Sequence, residues 1–387
     1  MKKTAKLIFN LVASHAVTVV LLVFMFLIIL FGTLYQVDNG LYAAQQKYFD
    51  SVFVLHQIGP ITIPLPGAYT LLVLVAVNLV FGGFIRIRKN RYTAGVLITH
   101  FGIAFMLVSC ALTFHFANRG HMRLYETQSS NEFVSYVDWA IEIGGIGDDQ
   151  TLHVIQDTEF SDLTNGKTRV FHNADLPFEL KLSDYSINSW VNQERDVMPT
   201  NSRIVDGFFL DNMKPDLQAE RNAPGVYVEI TDKETQHATE GILWGYSNAP
   251  LTVMSGDQAW LINLTRKRWS LPFKVTLDEF IHEQHAGTGM AKSFESYITK
   301  TKDGKEDIVR IWMNHPLRHD GYTFFQESWS PPNPETGEPL YSQFAVVRNP
   351  GDQGPLYACI IVSIGLLFHF TQKLLAYMRI EAKRRTS

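Results

Sequence analysis

The chain has 387 residues, of which 46% are hydrophobic and 19% are charged, and its formal net charge is -4. This modest charge gives no indication of nucleic-acid binding. The two cysteines, Cys110 and Cys359, both lie in apolar segments, so the polar part of the chain has no disulfide framework and no C-x-x-C redox motif. We therefore do not expect thiol–disulfide chemistry from this chain alone.

Four apolar segments predict transmembrane helices, because crossing a bilayer takes about 20 mostly apolar residues. They lie at about 14–36, 67–85, 93–116 and 357–377. The apolar run of the first segment exceeds the roughly 7–15 residues of a signal peptide, and no A-x-A cleavage site follows it. We therefore expect the first segment to be a permanent anchor.

The distribution of basic residues predicts the orientation of these helices. Lysines and arginines cluster at the N-terminus, in the link RIRKNR between the second and third spans, and at the C-terminus. The loop between the first and second spans has only Lys47. We therefore expect both termini in the cytoplasm and the long segment between the third and fourth spans on the outer face.

The loop after the first span has a pattern of its own. Apolar residues from Leu41 to Phe53 recur near helical spacing, which predicts an interfacial helix near 41–55. Three prolines then predict an extended chain leading into the second span. Residues 1–116 would thus form an N-terminal membrane region with three transmembrane helices.

The polar region 117–354 has the alternation and the β-branched and aromatic content of strands, which predicts a large β-rich extracytoplasmic domain. The decapeptides LPFELKLSDY (176–185) and LPFKVTLDEF (271–280) share one pattern. Their likeness is either a coincidence between two amphipathic strands or the mark of two related subdomains. Residues 355–387 would form the fourth helix and a basic cytoplasmic tail.

Two further predictions concern this β-rich domain. The stretches IVRIWMN (308–314) and GYTFFQESW (321–329) flank a short turn, which predicts a hairpin. The segment 188–222 is polar and poorly periodic, so we expect it to be a long loop.

The histidines of the apolar segments are the main candidates for function, because an ionisable residue within a membrane is expensive unless it is bonded or used. His100 lies about 7 residues into the third span, or roughly 10 Å at 1.5 Å per residue. We expect His369 in the fourth span at a similar depth, whereas His115 lies near the outer end of the third. Imidazole is the usual axial ligand of haem iron. The alternatives are hydrogen bonds between helices for His100 and His369, and snorkelling to water for His115.

Other chemistry has little support in the sequence. The pairs His282/His285 and His315/His319 do not match H-E-x-x-H, and the strand pattern before His282 disfavours a helical zinc site. There is no phosphate-binding loop, no nucleophile elbow and no C-x-x-C-H motif. We therefore predict neither a metal site nor a catalytic residue.

Several local motifs resemble the ResB family of the system II cytochrome c biogenesis machinery. They are GTLYQVDNGLYAAQQKYFD (32–50), IPLPG (63–67), LITHFGI (97–103), GHMRLYE (120–126), MNHPLRHDGYTFFQESW (313–329) and VVRNPG (346–351). The resemblance covers both membrane ends and the last third of the β-rich domain, and it is thin from about 145 to 270.

The resemblance implies a function in a bacterial inner membrane. A ResB protein works with a ResC/CcsA-like membrane subunit, and together they move haem b in transit to the outer face and present it to apocytochrome c. The chain would then be a non-catalytic or co-catalytic subunit of a haem lyase, because it lacks the tryptophan-rich haem-binding segment of the partner. His100 in LITHFGI matches the family's transmembrane histidine that is thought to contact haem.

Two other functions remain open from the sequence. One is a b-type haem electron-transfer protein with His100 and His369 as paired ligands. The other is a non-haem membrane scaffold whose β-rich domain binds partners. In the ResB-type function, the β-rich domain would hold apocytochrome or cover the haem exit, and its aromatic residues would be either contact residues or hairpin core: Tyr322, Phe324, Phe325 and Trp329.

Overall fold

The computed structural model describes residues 2–146, 151–164, 166–196, 203–288, 290–334, 337 and 339–386. The chain divides into two compact units. One consists of Met1–Asn118 and Arg348–Ser387, and we call it the helical unit. The other is Arg119–Val347, and we call it the β unit.

The helical unit contains four helices that are long and apolar enough to cross a membrane: His15–Asn39, Ala68–Ile85, Ala94–Phe116 and Gly354–Arg385. The four predicted apolar helices are therefore confirmed. The helices of this unit, in chain order, are α1 (Lys2–Val12), α2 (His15–Asn39), α3 (Leu41–Ala44) with a π-helical turn (Gln45–Phe49), α4 (Ala68–Asn78) with a π-helical end (Leu79–Ile85), α5 (Ala94–Phe116) and α6 (Gly354–Thr386).

A break at Ala13–Ser14 separates α1 from α2, and polar side chains hold it. The Ser14 hydroxyl caps α2 by accepting a hydrogen bond from the Ala16 N–H at 3.1 Å. The buried amide of Asn78 on α4 donates to the Val12 carbonyl at 2.6 Å and accepts from the Thr18 hydroxyl at 2.7 Å. These bonds satisfy carbonyls that a helix end leaves free and join α4 to the start of α2.

The loop between α2 and α4 differs from its prediction. Its helical part ends at Phe49, and strands β1 (Phe53–Ile58) and β2 (Ile61–Pro66) form an antiparallel hairpin. The turn is Gly59–Pro60, with Gly59 at φ 59°. The predicted helix near 41–55 is therefore wrong over its last part, because a Gly-Pro turn between two β-branched runs favours a hairpin.

Helices α5 and α6 run antiparallel and approach each other along small residues. Gly95, Gly102 and Ser109 recur every seven residues on α5. A Cβ added at Gly95 would lie 2.8 Å from the Gly365 carbonyl oxygen, and one at Gly102 would lie 3.1 Å from that of Ala358. Small side chains at this spacing allow close backbone contact between membrane helices. The contact fixes the rotation of α5 about its own axis.

The β unit is built from β3 to β18, so the predicted β-rich domain is confirmed. Its strands are β3 (Asn118–Tyr125), β4 (Ser129–Gly145), β5 (Leu152–Gln156), β6 (Thr168–Phe171), β7 (Phe178–Ser186), β8 (Ser189–Gln193), β9 (Phe208–Asn212), β10 (Gly225–Asp232), β11 (Ala238–Trp244), β12 (Leu251–Ser255), β13 (Gln258–Gln284), β14 (Ala291–Lys302), β15 (Lys305–Trp312), β16 (Leu317–His319), β17 (Tyr322–Ser330) and β18 (Tyr341–Arg348).

These strands form one large sheet and two small ones. The large sheet has the order β15-β14-β13-β4-β3-β18-β17-β16, with β12 beside β13 and β5 beside β4. A four-stranded sheet has the order β11-β10-β7-β6, and β8 pairs with β9 alone. The segment predicted as a long loop at 188–222 therefore contains a hairpin, although residues 197–202 of that segment lie outside the described residues.

The β unit has two large hydrophobic cores and a small cluster around Tyr227, and the two similar decapeptides lie in different large cores. Leu176, Phe178 and Leu180 belong to a core shared with the first half of β13. Leu271 and Phe273 belong to a second core, formed with β14, β17 and β18. The long strands β4 and β13 contribute residues to both cores. The shared pattern therefore reflects two strands that each bury their apolar side chains, but in different cores.

The hairpin predicted from 308–314 and 321–329 is wrong. β15 pairs with β14, and β17 pairs with β16. Two Asp-Gly turns explain the difference, because Asp303–Gly304 and Asp320–Gly321 each have positive φ at both residues. Two-residue turns of this kind close hairpins tightly, so each joins the strands directly beside it.

Candidate functional site

His100 lies on the side of α5 that meets the end of the second apolar helix. Its Nδ1 is 3.1 Å from the carbonyl oxygen of Gly83. The ring is half-buried and lies edge-on to Phe84, with the ring centres 6.3 Å apart. A Cβ added at Gly83 would lie 2.7 Å from the histidine Nδ1. Glycine is therefore needed for the ring to approach this backbone.

The Gly83 carbonyl is free to accept this bond because of its place in the helix. The π-helical segment ends at Ile85, and the last four carbonyls of a helix have no partner within it. A carbonyl oxygen only accepts hydrogen bonds, so Nδ1 of His100 carries the proton. In the neutral ring the lone pair is then on Nε2. A ring nitrogen held by a backbone carbonyl orients the other nitrogen for binding a metal.

His369 lies at the contact between α5 and α6. A Cβ added at Gly95 would lie 2.7 Å from the backbone nitrogen of His369 and 2.8 Å from its Cβ, so the two helices are in close contact here. The Nδ1 of His369 is buried and has no hydrogen-bond partner among the described residues. A buried polar atom without a partner is costly, which makes this nitrogen a candidate for binding something else. No ring contact joins it to His100 within the described part of the chain.

His115 is exposed near the end of α5. Its ring lies edge-on to Tyr69 of α4, with ring centres 6.1 Å apart, and to its neighbours Phe114 and Phe116. The structure thus places this third predicted histidine among aromatic side chains and brings it together with neither His100 nor His369.

The sequence interpretation missed a fourth histidine in the helical unit. His56 on β1 stacks on Phe31 of α2, with ring centres 4.1 Å apart and planes at 16°. Its Nδ1 is 2.6 Å from the hydroxyl of Tyr48, a fully buried residue of the π-helical turn. The sequence FVLHQI before the Gly59–Pro60 turn could have predicted a strand that carries His56. Sequence alone did not show that this strand lies beside α2.

Electrostatics keep the His56 pair neutral. Burial, and then repulsion by Tyr35 when that phenol is ionised, raise the pKa of Tyr48 above its usual value. Burial, and then the positive charge of Lys47, lower the pKa of His56. The buried Tyr48 hydroxyl has no other acceptor for its proton among the described residues, so we assign it as the donor to Nδ1 of His56, which places the ring proton on Nε2. This ring therefore has no lone pair to offer a metal.

The aromatic candidates of the β unit have divided roles. Tyr322 and Phe324 are buried in the second core and are structural. Phe325 is exposed, and Trp329 is half-buried beside His282, with ring centres 4.4 Å apart. Alternation along β17 explains this difference, because successive side chains of a strand point to opposite faces.

Comparison with known proteins gives two matches. The model of the ResB-like family matches residues 207–338, which lie in the β unit. The Protein NrfI of Wolinella succinogenes is 21% identical over 292 residues, covering 73% of this chain. The chain spans only 28% of the length of that relative. The chain is thus similar to ResB-like proteins, and the family model matches part of its β unit.

Proposed function

We propose that this chain is the ResB-type subunit of a system II cytochrome c synthase, which exports haem and presents it to apocytochrome c for attachment at C-x-x-C-H. The ResB-like matches support a role in cytochrome c biogenesis. The observation that carries the proposal is the hydrogen bond from His100 Nδ1 to the Gly83 carbonyl. Because this bond uses Nδ1 as the donor, the lone pair of Nε2 stays available to bind a metal.

Haem is the cargo in this proposal, and the chain contributes nitrogen ligands and an apolar environment. His100 supplies an axial nitrogen, which is the usual ligand of haem iron. The buried, unpartnered Nδ1 of His369 is the second group that we assign to the haem pathway. His115, among Tyr69 and two phenylalanines, is the third, because aromatic rings can pack on a flat apolar macrocycle.

The remaining parts of the proposal concern the assembly. The basic residues favour both termini in the cytoplasm of a bacterial inner membrane and the β unit on the outer face. A ResC/CcsA-like membrane subunit would supply the haem-handling groups that this sequence lacks, and apocytochrome c would be the acceptor. The chain is then a co-catalytic or non-catalytic part of the synthase.

One experiment tests the proposal against its alternatives. The full chain is purified with and without the ResC-like partner, and a reduced-minus-oxidised spectrum is recorded for the wild type and for His100→Ala. Maturation of c-type cytochromes is measured in the same cells. We expect substoichiometric haem that depends on the partner, and loss of both haem and maturation in the variant.

Each other outcome has a definite meaning. Tightly bound, redox-active haem in the isolated chain would favour the b-type electron-transfer protein. No haem in any preparation would favour the scaffold. A spectrum and a maturation level that are both unchanged in His100→Ala would overturn the role of His100.

A further inference from the structure

A cleft of about 580 Å³ opens in the β unit between β11 and the β8–β9 hairpin. Its apolar lining comes from Val191, Val205, Phe208, Ile242, Trp244 and Leu251. Trp244 is held in place, because its indole N–H donates to the Ser189 carbonyl at 3.0 Å and its ring packs edge-on against Trp190, with ring centres 5.0 Å apart. The cleft therefore has a fixed aromatic wall.

The strand beside this cleft, β11, ends its sheet and pairs only with β10 among the described residues. Two hydrogen bonds fix which backbone groups face β10: Gly245 N–H to the Pro224 carbonyl at 2.9 Å, and Asp232 N–H to the His237 carbonyl at 3.0 Å. Backbone groups of an edge strand alternate between the two sides. The N–H and C=O of Glu240 and Ile242 therefore point away from β10.

No described residue supplies a backbone partner for these outward groups of Glu240 and Ile242. Their side chains line the cleft, so the free edge and the apolar cleft belong to one surface. A small apolar ligand would fill the cleft and leave the edge unpaired. An extended polypeptide would pair with the edge and place alternate side chains in the cleft, as in strand addition.

The charges at the rim indicate what such a segment would carry. Glu240 accepts a hydrogen bond from Arg203 at 3.2 Å, so its charge is compensated. Asp206 lines the cleft and has no ion pair within the described residues. An apolar side chain for the cleft and a cationic residue near Asp206 would therefore complement this surface.

We propose that the free edge of β11 and its cleft bind an extended, unfolded segment of polypeptide as an added strand. The identity of this segment rests on the proposed function, which makes haem-free apocytochrome c the occupant. Most of the cleft residues, from Phe208 to Leu251, lie within the segment that matches the ResB-like family model.

The first test separates main-chain pairing from side-chain contact. The full chain in detergent is titrated with fluorescent apocytochrome c whose haem is absent and whose thiols are alkylated. Glu240→Pro removes one outward N–H but no bond to β10, and an edge strand tolerates proline when its N–H faces solvent. Glu240→Ala is the matched control, since it removes the carboxylate and keeps the N–H.

We expect Glu240→Pro to weaken binding by about fivefold or more, and Glu240→Ala by less than about twofold, because an intermolecular hydrogen bond contributes on the order of a kilocalorie per mole. Equal affinities for the two variants would overturn strand addition. Unchanged thermal unfolding of both variants shows that neither has lost its fold.

The second test maps the surface directly. A photo-crosslinking residue replaces the exposed Tyr246 at the cleft, and the control replaces Ile308 on β15, whose exposed fraction is 77%. We expect the labelled apocytochrome to crosslink at position 246 only. Equal crosslinking at both positions, or crosslinking only within the chain itself, would overturn the proposal.

The two proposals fail separately. The peptide probe has no haem and no free thiols, so its binding does not depend on His100. Loss of peptide binding with an intact haem signal would remove only this inference, whereas the reverse result would remove only the role of His100.

Discussion

His100 and His56 are two histidines of the helical unit whose Nδ1 atoms are both hydrogen-bonded, but with opposite consequences. His100 faces a carbonyl, which can only accept, so its Nε2 keeps a lone pair. His56 faces a buried phenol that has no other acceptor among the described residues, so we assign the phenol as donor and the ring proton to Nε2. The partner of one nitrogen thus decides whether the other is a ligand or a donor.

The largest expected effect comes from exchanging each ring for an amide. His100→Gln keeps a donor for the Gly83 carbonyl but cannot replace an imidazole on iron, so we expect the haem signal of the complex to fall at least about tenfold. His56→Gln, the matched control, should leave that signal within about twofold of the wild type because this ring carries its proton on Nε2. Equal loss in both variants would contradict the comparison.

The next effect concerns the carbonyl that orients His100. Gly83→Ala places a methyl group where the His100 ring lies, so the ring must turn away from the carbonyl. We expect haem affinity to fall by about tenfold, the lower end of the usual cost of losing a group that orients a ligand. Gly82→Ala is the control, because its Cβ would approach the Ala13 carbonyl at 3.2 Å and no ring. Haem titration of both variants distinguishes the two positions.

A smaller effect is expected on stability when His56 is removed. His56→Ala leaves the buried Tyr48 hydroxyl without its acceptor and Phe31 without its stacked neighbour. We expect a loss of about 1–3 kcal/mol in the free energy of unfolding, measured in detergent, with the haem signal retained. A loss of haem without a loss of stability would show that His56 belongs to the haem pathway.

The smallest effect is a dependence of stability on pH. The pKa of His56 is lowered from 6.5 in the folded chain, so the unfolded chain binds its proton more readily. Stability is therefore complete above about pH 6.5 and falls as the pH drops below it toward the folded pKa.

The double variant Tyr48→Phe/His56→Phe tests this dependence. It should lose part of the fall in unfolding midpoint between pH 7.5 and 5.5. His121 of the β unit also has a pKa lowered by burial, so a residual slope should remain. Identical slopes in the wild type and the double variant would contradict the prediction.

The sequence predicted what depends on local composition. Apolar runs of about 20 residues specify membrane helices regardless of their neighbours, so the four helices were predictable. Three turns could also be predicted from sequence: Asp-Gly at 303–304 and 320–321, and Gly-Pro at 59–60. The wrong hairpin and the overlong helix were both predicted across these turns.

Contacts between distant segments were not predictable. β4 pairs with β13 across more than a hundred residues, and nothing local to either strand specifies that register. The His100 site has the same limitation, because it depends on a carbonyl exposed by a helix end 17 residues earlier in the chain. The orientation in the membrane and the binding of haem stay predictions.

The two long strands of the β unit have a consequence for dissecting the protein. Because β4 and β13 each pass through both cores, no single cut in a connecting loop yields two self-contained halves. A truncated fragment would expose the apolar side of both strands and tend to aggregate. Recombinant work on this region should therefore express Arg119–Val347 whole, and its melting should follow one transition for both cores.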